Sequence, residues 1–501
     1  MAKKYLFESN IWTLPLVEKT LKAVLDLAKD YGLDLYKPSV EIISSTQMLE
    51  MYTSGGLPNN FTHWTFGRDF IQQQKEYLAG QSGLAYEIVI NSNPCIAYLM
   101  DTNTMTMQAL VLAHAAVGHN NFFKTNYLFK DNSDADSILD YTLYAKEFIQ
   151  RCEDRYGSDP VEDVLDIGLL MQIYGVDKCK RSTDLTYKNV QQKIIDLKRN
   201  ISTGRDPLFV DNMKQVKHLK QLQDALKHGE AKRVAQAGQE NVLAFLAKYS
   251  GNRDLNEDFR EILNIQCALA QYFYPQRLTK LMNEGWASFW HHRLMTDLWE
   301  AGKLTEGSYL EFLHSHTNVL YNYGGGPDNV YKLGFEMFQD IKRMCENPTE
   351  EDFKFRPEIC NTDWLTTLKD IAANYRDDSF VLQFLSPKVI RDFGLFEIAD
   401  DDEDFLKAVD IADTGGYNSI RKSLSEQYSW EYRIPDLQVT DVVWDGTLVL
   451  TYTPFRERGL ADDVLSGGGG GALHLLEAVR MLWGGNVRIA TPDGRVLLET
   501  E

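Results

Sequence analysis

Residues 85–123 read AYEIVINSNPCIAYLMDTNTMTMQALVLAHAAVGHNNFF, and a change of period inside this stretch decides the fold. AYEIVI and CIAYLMD, on either side of the turn residues NSNP, are β-branched and aromatic and predict two short strands joined as a hairpin. From Thr106 to Phe123 the sequence is apolar on nearly every side, which predicts a helix buried all round. The helix carries His114 and His119 into that apolar setting.

Working outward, LPLVEKTLKAVLDLAKDYG (14–32) has the spacing of an amphipathic helix, and GRDFIQQQKEYLAG (67–80) predicts a second helix after the loop TSGGLPNNFTHW. From about 135 to 250 the chain turns polar, with runs such as NVQQKIIDLKRN and MKQVKHLKQLQDALKHGEAKRVAQ. A solvated helical subdomain without chemistry of its own is expected there. Dense aromatic helices resume near 255, and TDWLTTLKDIAANYRDDSFVLQFLSP closes this portion. After the acid run IADDDEDF, the segments DLQVTDVVW, GTLVLTYTPF, ALHLLEAVRMLWG, NVRIAT and RVLLET predict a small α/β domain. The expected fold class is therefore α+β and predominantly helical: a large helical core with a hairpin or small sheet over 1–395, and a C-terminal α/β domain over 396–501. SGGGGG at 466–471 lacks the Lys-Ser/Thr of a phosphate loop and reads as a flexible connection.

Charge narrows the partners. With 72 acidic against 52 basic residues, the net charge of −20 disfavours nucleic acid and acidic membrane surfaces. MAKKYLFESNIW has no apolar secretory core, and no run approaches the roughly 20 apolar residues that cross a bilayer. The six cysteines are scattered without a CxxC pair, as expected of reduced thiols in a cytoplasmic protein.

Histidines carry the strongest chemical signal. Seven of the ten lie in two aromatic segments, His63, His114 and His119 in one and His291, His292, His314 and His316 in the other. Buried there, an imidazole or carboxylate needs a partner to offset its desolvation. In LMNEGWASFWHH (281–292), Glu284 and His291 are seven apart, so at about 100° per residue they share one helix face while His292 does not. Metal ligation, metal-free acid–base work and a buried hydrogen-bonded pair all satisfy that spacing. His114 and His119 are five apart, about 140° around an ideal helix, and can face one ion only if the helix ends or bulges near Gly118. Glu87 in the first hairpin strand is a candidate base or further ligand, against a salt bridge to Arg68. The Asp377–Asp378 pair reads as a cap or ion pair.

Two resemblances add to this. NEGWAS (283–288) resembles the NEGFA run of gluzincin aminopeptidases, whose glutamate is the third zinc ligand after an HExxH helix. The order hairpin, HAAVGH, NEGWAS is similar, but Ala115 stands where HExxH places its general base. On a larger scale, HWTFGRDF, the stretch 85–123, QYFYPQRLTKLMNEGWASFWHHRLM, EFLHSHTNVL, LGFEMFQDI and YRDDSFVLQFLSP resemble, in order, the stage V sporulation protein R (SpoVR) family. MLWGGNVRIAT fits as well, and the departures concentrate in the polar middle and in LTYTPF. That resemblance implies a cytoplasmic bacterial protein linked to spore cortex formation or, in bacteria without spores, to stress physiology. Members of the family are often encoded near a PrkA-type serine kinase and a von Willebrand A-like protein, so the resemblance implies a PrkA-type kinase system as a protein partner, but no established reaction.

Together these readings lead to a divalent metal, zinc first and iron or manganese next. Its expected ligands are His114, His119, Glu284 and His291. Glu87 would be the base of a metal-assisted hydrolysis. Two irons would call for paired Glu-x-x-His helices, and only one Glu–His helix is present. The competing reading is a non-enzymatic regulator or scaffold acting through protein partners.

Overall fold

The hairpin forms where the period predicts it. Strand β2 (Glu87–Ile90) pairs antiparallel with β3 (Cys95–Met100), from Glu87↔Leu99 to Ile90↔Ile96. A strand not anticipated from sequence, β1 (Pro38–Ile43), lies parallel to the other side of β3. The sheet order β1-β3-β2 buries all six residues of β3 and leaves β2, with Glu87, at an edge.

These features belong to a computed structural model that describes residues 5–54, 56–57, 60–78, 87–178, 241–321, 327–395, 398–401, 405–408, 414–429, 434, 436–443, 445–453 and 471–500. The chain divides into two compact units, 1–155 with 272–430 and 156–271 with 431–501. The first is a helical core around the three-stranded sheet, with a two-stranded ribbon at Ile398–Asp401 and Phe405–Ala408. The second holds Ser158–Leu170, Val242–Tyr249 and a four-stranded sheet, with Gly471–Trp483 crossing over between its two parallel middle strands. Of the polar stretch expected at 135–250, residues 179–240 lie outside the described residues, as do 466–470 of the glycine run. The five described cysteines are free, and no described helix is long and apolar enough to cross a membrane.

Three helices lock together beneath the sheet. The histidine helix runs without a break through Met105–Val111, a π-helical turn over Leu112–His119, and Asn120–Thr125. All eight residues of the π turn are buried, as the all-round apolar sequence predicts. The glutamate helix, Lys280–Glu300, contributes Trp286 and Trp290, both fully buried. Val330–Glu346 packs on its other side. Glycines set these approaches: a Cβ on Gly118 would lie 2.5 Å from Ala287 Cα, and one on Gly285 would lie 2.5 Å from the backbone of Gly334.

The glutamate helix begins at a borrowed cap. Its own N-cap, Thr279, makes no side-chain cap bond. Asp377 instead accepts from the backbone N–H groups of Leu281 and Met282, both at 2.9 Å, stabilising the first turn by charge and hydrogen bonding. Asp378 pairs with Arg376 at 2.7 Å. The acidic pair is thus cap and ion pair, as expected.

Candidate metal centre

The π turn answers the spacing problem of HAAVGH. Its i→i+5 geometry brings residues five apart to the same side, and the rings of His114 and His119 lie 4.6 Å apart, edge to face. Gly118 permits this by letting the widened turn press against the backbone of Ala287. Glu284 is carried to the same point by the facing helix. Its Oε2 lies 3.5 Å from Nε2 of His114 and 3.5 Å from Nε2 of His119. Glu87, on the edge strand, places Oε1 3.2 Å from His114 Nε2. One donor atom each from Glu87, His114 and His119 lies within 4.8 Å of the others.

Those separations suit an ion. Zinc bonds of about 2.0–2.1 Å in tetrahedral geometry set neighbouring donors about 3.4 Å apart. Proton bookkeeping points the same way. His119 Nδ1 lies 2.9 Å from Asn283 Oδ1, an acceptor, so the ring proton sits on Nδ1 and Nε2 presents a lone pair. That lone pair faces Glu284 Oε2, a buried oxygen with no hydrogen-bond partner. Two acceptors facing each other in a buried site need a shared proton or a cation between them.

His291 takes a different place. It does share the face of Glu284, but its Nδ1 lies 2.8 Å from His114 Nδ1 and its Nε2 lies 2.7 Å from His316 Nδ1. Both nitrogens are engaged with other imidazoles. The expectation from spacing made His291 a ligand; the structure sets its ring on the Nδ1 side of His114. The reason is that the shared face meets the histidine helix over two turns, and only its N-terminal turn reaches the donors. His292 packs against Phe312, Phe335 and His316. His63 bonds Thr65 Oγ1 at 2.7 Å, away from the cluster. Arg68 pairs with Asp69, so the contact of Glu87 is His114, not the arginine.

The cluster lies in a cavity of about 750 Å³ whose walls include Ile88, Met107, Leu110, Phe273 and Val319. Lys280 and Tyr331 also line it. Tyr331, which sequence reasoning missed, faces Glu284, and that carboxylate and burial raise its pKa. Asn283 was missed too, although its position beside Glu284 in NEG offered a signal.

Electrostatics separate the groups. Burial raises Glu87 to about 7, assisted by Glu284 and opposed by His114. Burial lowers His119 to about 4 and His316 to about 3. Burial and the neighbouring histidines hold His291 well below its ordinary value. For His114, burial works downward but Glu87 and Glu284 outweigh it, so its pKa is raised. For Glu284, burial works upward but His119 and His114 outweigh it, so its pKa is lowered.

A pH dependence follows for the metal-free protein. Between the ordinary values of 4.5 for glutamate and 6.5 for histidine, the unfolded chain binds protons that folded His119, His291 and His316 refuse, so stability rises with pH. Glu87 holds its proton more tightly when folded and opposes this across the same window. His114 opposes it only above 6.5. With His292, also lowered by burial, four groups of the cluster outweigh one. The urea midpoint of metal-free protein is expected to be higher at pH 6.5 than at pH 5.

Comparison with known proteins places this geometry in a wider setting. A family model described as "SpoVR like protein" matches residues 11–433. "Uncharacterized protein YcgB" of Escherichia coli (strain K12) is 43% identical over 500 residues, covering 97% of this chain and 94% of the relative. No solved structure matches.

Proposed function

We propose, for a chain that belongs to the SpoVR family, that its chemistry runs through a divalent metal ion held by His114, His119 and Glu284. The observation that carries this reading is the buried, unpartnered Glu284 Oε2 set 3.5 Å from two imidazole nitrogens. Zinc is the first choice, since two imidazoles and a carboxylate at tetrahedral spacing suit it, with iron or manganese as alternatives. Held by three protein ligands, the ion would keep a position open, as catalytic rather than closed structural sites do. Such an ion would supply a water acidic enough to ionise near neutral pH, and Glu87, on the flank of His114, would be the residue to take its proton. Metal-assisted hydrolysis of a ligand seated in the cavity is therefore the reaction class. Family membership extends the proposal to a cytoplasmic setting of spore cortex formation or stress physiology, with a PrkA-type kinase system as protein partner.

Elemental analysis of protein purified without a tag tests the centre. About one equivalent of metal per chain is expected. No metal under zinc, iron or manganese supplementation would overturn it. Glu87→Gln separates base from ligand: as a base, its loss leaves metal affinity within about tenfold of wild type. A loss as large as that of Glu284→Gln would instead make Glu87 a fourth ligand and close the site.

A further inference from the structure

We infer that His291 and His316 are positioning residues that fix the tautomer and ring orientation of His114 for the ion proposed above, a reading on which this inference rests. The three imidazoles form a chain: His114 Nδ1 to His291 Nδ1 at 2.8 Å, then His291 Nε2 to His316 Nδ1 at 2.7 Å. A neutral imidazole has one donor and one acceptor nitrogen, so the assignment at one end dictates the rest. An ion at His114 Nε2 requires its proton on Nδ1, which donates to His291 Nδ1. His291 then carries its own proton on Nε2 and donates it to His316 Nδ1. One ligand bond thereby sets three tautomers, without any group gaining or losing net charge along the chain.

The surroundings hold the chain in place. His291 is 1% exposed and His316 6%. His291 meets Phe312 edge to face, and His316 lies between Phe312 and Phe335. Phe312 and Phe335 offer no substitute partner on their side, so a ring rotation in the middle of the chain would break both of its hydrogen bonds. The sequence brings this about from two helices, Lys280–Glu300 for His291 and Glu306–Leu320 for His316, with the family of contacts ending on the π turn at His114. A histidine serving only to fill the core would need no particular proton order, whereas this role demands one.

The test uses full-length protein titrated with zinc. His291→Phe keeps a ring of similar size and removes both hydrogen bonds; zinc affinity is expected to fall about 10–100-fold. His291→Gln, which restores an acceptor and a donor, is expected to recover most of that loss. In zinc-loaded wild type labelled with ¹⁵N-histidine, the His291 resonances are expected to place the proton on Nε2, a signature that core packing would not impose. Wild-type affinity in His291→Phe, or a proton on Nδ1 of His291 in the zinc-loaded protein, would overturn the inference while leaving the metal site standing. A wild type that binds no zinc would overturn the metal reading and this inference with it.

Discussion

Glu284→Gln is expected to reduce zinc affinity by well over the ten- to hundredfold that loss of a supporting residue costs, while leaving the metal-free fold in place. The substitution is nearly isosteric, so Trp286 and Trp290 on the same helix keep their packing. What disappears is the anionic oxygen. Glu284 Oε2 is the atom that meets both His114 and His119 at 3.5 Å, and an amide oxygen cannot neutralise a dication as a carboxylate does. An amide that turned its NH₂ toward His119 Nε2 would also occupy the lone pair meant for the ion. Isothermal titration with zinc, beside thermal unfolding of both metal-free proteins, reads the two effects separately. Unchanged zinc affinity would remove Glu284 from the ligand set.

The second large effect is expected at Gly118, which touches no donor atom. A Cβ there would stand 2.5 Å from Ala287 Cα and 2.8 Å from Ala287 Cβ. Neither atom is the end of a flexible side chain, so Gly118→Ala must push the histidine helix off the glutamate helix or undo the π turn. Overpacking of this kind costs about 1–3 kcal/mol and at times more. Because the same contact sets the gap between His114, His119 and Glu284, zinc affinity is expected to fall with stability. Ala287→Gly added to Gly118→Ala removes the Cβ but leaves the nearer Cα, so the double variant is expected to recover only part of the lost stability. Urea unfolding and zinc titration of the single and double variants check both statements.

How much of this was legible in the sequence depended on whether a feature is local. The hairpin and buried helix show in the period of residues 85–123 because alternation and all-round apolarity are properties of neighbours in the chain. The condition on His114 and His119, a bulge near Gly118, could be stated from spacing alone; that the bulge is a π turn over 112–119 required the facing Ala287. The shared face of Glu284 and His291 was equally visible. Their separate duties were not, because they depend on where the histidine helix crosses that face and on His316, which comes from a third helix. Tyr331 and Asn283 gain meaning only from the carboxylate and imidazole they touch. Strand β1 was within reach, since PSVEII has the β-branched character of a strand. Its parallel pairing with β3, across an intervening stretch that includes β2's hairpin, is a long-range choice that no local pattern announces.

The central claim is that one cation sits among His114, His119 and Glu284, and crystals of zinc-loaded protein test it most directly. An anomalous difference map collected on either side of the zinc absorption edge is expected to show a single strong peak within about 2.0–2.2 Å of His114 Nε2, His119 Nε2 and a Glu284 carboxylate oxygen. A map with no peak there, or with zinc bound only at residues elsewhere on the chain, would contradict it.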